Sequence, residues 1–142
     1  MRLVYLAALL LSCSPVFAQS KPSPFDGKWQ TTLTCPAKGN TLGYTWQFTS
    51  AVDNGALKGE HGAPGEPGYL LLEGKIAADG SSKLTANGIV ASRKYARGVL
   101  VHKGEDYSYT VKAQFKESAG TGLRDEGLGI VGRACTFDFA KQ

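Results

Sequence analysis

Two cysteines, four aromatic residues and one basic run are where chemistry could reside in this 142-residue chain. Of three cysteines, Cys13 falls in an apolar leader, so Cys35 and Cys135 can form only one pair. In an oxidising compartment such a pair is normally a disulfide, the alternative being two buried free thiols. Tyr44, Trp46, Tyr107 and Tyr109 could line a site for a small ligand, their rings giving flat apolar walls and their phenols hydrogen-bonding groups. The same rings could instead fill a solid core, and both readings stay open. Arg93, Lys94, Arg97 and Lys103, with Tyr95 and His102 among them, form the densest positive stretch. They could make a patch for lipid headgroups, lipopolysaccharide or an acidic protein surface, or simply a solvated loop.

Catalysis has weaker support. No Gly-x-Ser-x-Gly occurs, and Gly120-Thr121-Gly122 has no following helix to cradle a phosphate. His61 and His102, with Glu60, could form a metal-dependent hydrolase site if strand ends bring them together, but their spacing fits no metal motif. The expectation is no catalytic residue, no metal ligand and no cofactor.

The elements that must position these residues are strands. Trp29, Leu33 and Cys35 alternate with Lys28, Gln30, Thr32 and Thr34, which predicts a half-buried strand over 28–35. Cys135, Phe137 and Phe139 alternate with Thr136 and Asp138 in the same way, over 133–139. Further strands are predicted at 43–52, 56–61, 69–76, 82–90, 99–102 and 107–115, with a weaker one at 120–124 interrupted by glycines. Asp53-Asn54-Gly55 and Ala78-Asp79-Gly80 are tight-turn signals. Gly62 to Gly68 is a stiff exposed loop, and 91–98 is the least legible part. No window shows a helical stripe. The first and last strands are expected to lie side by side, joined through Cys35 and Cys135. The fold class is therefore all-β, a small antiparallel up-and-down β-barrel of about eight strands with one disulfide. Trp29, Tyr44, Trp46, Phe48, Tyr69, Tyr107, Tyr109, Phe115, Phe137 and Phe139 are expected mainly on its inner face.

Residues 1–18 read as a signal peptide: Arg2, an apolar run, then Val16-Phe17-Ala18 as the cleavage site. The run is shorter than the roughly 20 residues a membrane span needs, so no transmembrane segment is expected. Leu10-Leu11-Ser12-Cys13 offers a second reading, an outer-membrane lipoprotein anchored through Cys13. Residues 19–27 are expected to be a flexible lead-in, and 28–142 one barrel domain. The net charge of +4, one less without Arg2, is no nucleic-acid footprint. A periplasmic or secreted monomer is expected.

The Asp26-Gly27-Lys28-Trp29 opening resembles the Gly-x-Trp start of calycin-type barrels: avidins, lipocalins and bacterial protease inhibitors of the same plan. Tyr107-Ser108-Tyr109-Thr110-Val111, Gly120-Thr121-Gly122 with Arg124, and Gly132-Arg133 with Cys135-Thr136-Phe137 are similar to small exported bacterial proteins of unassigned function. The resemblance implies a barrel and a location outside the cytoplasm, and no activity. The function expected is an exported cell-envelope binding protein without catalysis, holding a small or anionic ligand. The alternatives are a protease-inhibitor-like module that binds a periplasmic protein, for instance through residues 62–68, and the metal-dependent hydrolase.

Overall fold

The computed structural model describes residues 22–97, 101–125 and 133–142. The expected leader, with Cys13 and the cleavage site after Ala18, lies outside them. Among the described residues, eight antiparallel strands close into a barrel in chain order. They are β1 (Gly27–Cys35), β2 (Tyr44–Asp53), β3 (Ala56–His61), β4 (Leu70–Ile76), β5 (Ser81–Ile89), β6 (Asp106–Phe115), β7 (Ala119–Arg124) and β8 (Thr136–Lys141). A 3-10 turn, Arg93–Tyr95, lies between β5 and β6. No helix of the described residues is long and apolar enough to cross a membrane.

The seam joins the first strand to the last. Leu33 lies opposite Phe137 and Thr31 opposite Phe139 in the β1–β8 register. The Cys35–Cys135 disulfide joins residues 100 apart in sequence beside that seam. Closure removes both sheet edges, so no row of unpaired backbone groups is left for another chain to pair with. It also fixes side-chain parity on every strand, which is why Trp29, Thr31, Leu33 and Cys35 are all buried.

The two ends differ. At the end where β1 begins, Phe25 and Trp29 meet Phe115, with ring centroids 6.3 and 5.5 Å from it, and Phe139 stacks on Phe115 at 4.7 Å. The Trp29 indole donates to the Phe25 carbonyl at 2.8 Å, so the ring is buried without an orphaned N–H. Asp26 accepts from the Ser23 and Gly55 amides, tying this segment to the β2–β3 turn. The expected lead-in thus ends in a plug: Phe25 is only 5% exposed. Midway, Thr31 and Ser50 satisfy each other across β1 and β2 at 2.7 Å. At the far end Val90, Ala91, Tyr95 and Arg97 of the β5–β6 connection, with Asp125 and Arg133, border a mouth.

Four sequence expectations change in detail. Val101 and His102 lie in no strand, and residues 99–100 fall outside the described residues. Val90 donates its amide to Glu105 and Gly104 donates to Val90, so the chain enters β6 through a turn. The last strand begins at Thr136, because the Cys135 amide is bonded to the Arg133 carbonyl. Tyr69 points outward and donates to Glu60 at 2.8 Å. It precedes the buried Leu70, and neighbours on a strand face opposite sides. The glycine-interrupted 120–124 segment is a full strand: a Cβ on Gly120 would lie 2.8 Å from the Phe115 ring, and one on Gly122 3.0 Å from Val111. These glycines admit large neighbours into a narrow barrel rather than weaken the strand.

Candidate ligand-binding site in the barrel mouth

The four aromatics singled out from sequence meet in one place. Tyr44 and Trp46 enter from the inner face of β2, and Tyr107 and Tyr109 from that of β6. Both strands alternate inward and outward, and their mouth-end residues are half-buried where their lower residues are buried. The four line a cavity of about 310 Å³. That lies at the small end of the roughly 300–1,000 Å³ typical of ligand pockets. Ring order is high: Tyr107 and Tyr109 stack with an interplanar angle of 4°, and Tyr44 lies 4.7 Å from Trp46. Gly88 makes room for this wall, since a Cβ there would come within 2.3 Å of the Tyr107 ring.

Of the basic run, Arg97 reaches the cavity. Arg93 and Lys94 sit on the exposed 3-10 turn at its rim, and Lys103 is exposed on the turn before β6. Two further cavity arginines, Arg124 and Arg133, went unremarked as a patch because they are far apart in sequence. The available signal was parity for Arg124, which shares the inward phase of Gly120 and Gly122.

Arg133 organises the mouth. It donates through Nε to the Pro36 carbonyl at 3.0 Å, through Nη1 to Tyr95 at 2.7 Å and through Nη2 to Leu42. One planar fork thereby ties together the β1–β2 loop and the 3-10 turn, beside the disulfide. The residue is 3% exposed and lines the cavity wall. Burial draws its pKa down, Tyr44 opposes this, and Arg124 and Arg97 add to the lowering. Its guanidinium remains a cation over the Tyr44 ring, 5.3 Å from the centroid. Arg133→Met should cost about 1–3 kcal/mol in urea unfolding, because three carbonyls lose their donor. Arg133→Lys should recover little of it, since a point ammonium cannot span the fork.

Arg124 lies over the Tyr109 ring at 4.2 Å. Lys58–Glu60 and Lys112–Asp125 are ion pairs, and among the described residues neither Arg124 nor Arg133 is in an ion pair with a carboxylate. The phenols are held neutral. Burial raises the pKa of Tyr107, helped by Tyr44, and of Tyr109, helped by Tyr107 and Tyr44, with Arg124 opposing in both. Burial also raises Tyr44, against Arg133 and Arg124. An acid whose folded pKa exceeds its unfolded value of about 10 stabilises the fold fully below that pH, and the contribution is lost as pH climbs toward the folded pKa. Stability should therefore fall above pH ~10, and Tyr107→Phe with Tyr109→Phe should flatten the decline in urea midpoints followed from about pH 8 to 11.5.

The histidines are placed apart in role. His61 stacks on Trp46 at 4.2 Å and shares a 3.0 Å hydrogen bond with the Gly68 carbonyl. Its neighbour Glu60 is exposed and engages Tyr69, while His102 is exposed on the turn before β6. Among the described residues no group of three His, Cys, Asp or Glu side chains could hold a metal ion. Comparison with family models, with curated proteins and with solved structures yielded no match to this chain.

Proposed function

We propose that this protein is an exported, non-enzymatic binding domain that holds one small anionic ligand in the barrel mouth. The observation that carries the reading is the cavity itself: one end is closed by packed rings, while the other keeps about 310 Å³ beside Arg97, Arg124 and Arg133. Arg124 and Arg133, neither in an ion pair with a carboxylate among the described residues, present positive potential beside neutral phenols, and Arg124 adds hydrogen-bond donors for an incoming anion. The disulfide supports export, since such bonds persist in oxidising compartments. Kinship with calycin-type barrels is part of the proposal, supported by the eight-strand up-and-down order and by Gly27 and Trp29 at the start of β1.

Native mass spectrometry against a panel of small monoanions tests it. One equivalent should be retained, with affinity falling as salt rises. Ala91→Trp, placed on the cavity wall, should abolish retention. A protein that takes up no anion, or an Ala91→Trp variant that binds unchanged, would contradict the reading.

A protein-directed reading has one observation in its favour. The exposed residues 62–67 form a fixed turn, closed by Glu66 N–H to the Ala63 carbonyl at 3.1 Å and anchored by Gly68 N–H to Ile89 at 2.9 Å. Replacing 62–67 with a flexible linker would remove partner capture on this reading and leave anion uptake untouched.

A further inference from the structure

Resting on the anion-binding reading of the mouth, we infer that the ligand is an aromatic monocarboxylate. Its carboxylate lies among the hydroxyls of Tyr44, Tyr107 and Tyr109 and the Arg124 guanidinium, and its ring packs on the aromatic wall. The first observation is an orphan. The Tyr109 hydroxyl is buried and has no hydrogen-bond partner among the described residues. Buried hydroxyls are almost always satisfied, so this one calls for a partner, and Tyr109 is a residue of the cavity wall. Because burial keeps this phenol protonated, it can donate its proton to an anionic oxygen.

The second observation is convergence. Tyr44, Tyr107, Tyr109 and Arg124 line one cavity, with Tyr107 parallel to Tyr109 and Arg124 over the Tyr109 ring. Arg124 sits over the Tyr109 ring, 4.2 Å from its centroid, and lines the same cavity, so a ligand there meets its N–H donors. One guanidinium edge with a few neutral hydroxyls suits a planar group of two oxygens carrying a single charge. Arg133 is not available in the same way, for its donors hold the Pro36, Tyr95 and Leu42 carbonyls. A tetrahedral phosphate, which carries no ring, would match this planar donor edge but leave the aromatic wall unused.

The third observation is the wall. Trp46, Tyr44, Tyr95, Tyr107 and Tyr109 all face the cavity, together with the small apolar residues Val90, Ala91 and Ala96. The parallel Tyr107–Tyr109 pair and the tilted Tyr44–Trp46 pair offer flat surfaces on which an aromatic ring stacks better than a flexible chain. The cavity volume holds one or two fused rings and little more.

Isothermal titration calorimetry with 1-naphthoate, 1-naphthalenemethanol, cyclohexanecarboxylate and inorganic phosphate tests this. The naphthoate should bind one to one, at least tenfold tighter than each of the others. Tyr109→Phe removes a single oxygen and should weaken naphthoate about tenfold and the alcohol by less, leaving the thermal midpoint unchanged. Arg124→Gln should do the same or more. If Arg124→Gln fails to fold, Tyr109→Phe alone decides. Equal or tighter binding of phosphate or cyclohexanecarboxylate overturns the inference and leaves the anion reading standing, as does an unchanged naphthoate affinity in Tyr109→Phe. Binding of no anion by the wild-type protein overturns both.

Discussion

Trp29→Ala will lower the unfolding free energy by about 3–5 kcal/mol, the range seen when a large buried aromatic is truncated. Trp29 is fully buried, and no single ring does more to close its end of the barrel. It meets Phe115 edge-on at 5.5 Å and holds the Phe25 carbonyl through its indole. Truncation empties the space between Phe25, Phe115 and Phe139 and strands that carbonyl. Phe25 should then loosen, because it loses both the indole packed with it in the core and the hydrogen bond to its carbonyl. Hydrogen exchange would show this as lost protection at Gly55, whose amide donates to Asp26 in the same segment. Trp29→Phe keeps one six-membered ring but loses the five-membered ring and its hydrogen bond to the Phe25 carbonyl, and should cost about 1–2 kcal/mol. Equal losses for the two variants would place the importance of Trp29 in its N–H rather than in its packing.

The second large effect is expected at the disulfide. Replacing Cys35 and Cys135 with alanine should cost about 3–5 kcal/mol, since the bond closes a loop with a sequence separation of 100. Most of that loss arises in the unfolded chain, which regains the freedom of a long open loop. The folded seam should survive, because β1 and β8 remain paired from Trp29–Lys141 to Thr34–Thr136. The midpoint of thermal unfolding should drop by about 10 °C or more while the strand content by circular dichroism is kept. A loss below about 1 kcal/mol would show that the seam's own hydrogen bonds, not the staple, set the stability.

Much of this architecture was legible in the chain because barrel strands advertise themselves by alternation. The pattern of Trp29, Leu33 and Cys35, and that of Tyr107, Tyr109, Val111 and Phe115, follows from one face being buried. The single possible cysteine pair then implied which strands are neighbours, and so closure. The Tyr44, Trp46, Tyr107 and Tyr109 cluster was legible for the same reason: parity points all four inward, and their hairpin positions put all four at one end.

What was not legible depends on three-dimensional closeness without periodic signal. Phe25 lies outside any strand, and only the turn through Asp26 folds it under the barrel. Arg133 looks like an ordinary strand residue until the carbonyls of Pro36, Leu42 and Tyr95, all distant in sequence, are seen to converge on it. Tyr69 carries the composition of a core residue but sits one place out of phase with Leu70. Glycines in β7 looked like strand breakers because the sequence does not show that Phe115 and Val111 need their space.

The claim on which the account turns is a barrel packed solid at Trp29 and hollow at Trp46. The two tryptophans of the chain report on those two ends. Titrating the wild-type protein and the Trp46→Phe variant with a small aromatic carboxylate, followed by tryptophan emission, reads the difference directly. A saturable change is expected in the wild type that disappears in Trp46→Phe, while calorimetry shows that variant still binding. A saturable change that persists in Trp46→Phe, and so belongs to Trp29, would contradict it, as would a wild-type emission that no anion alters.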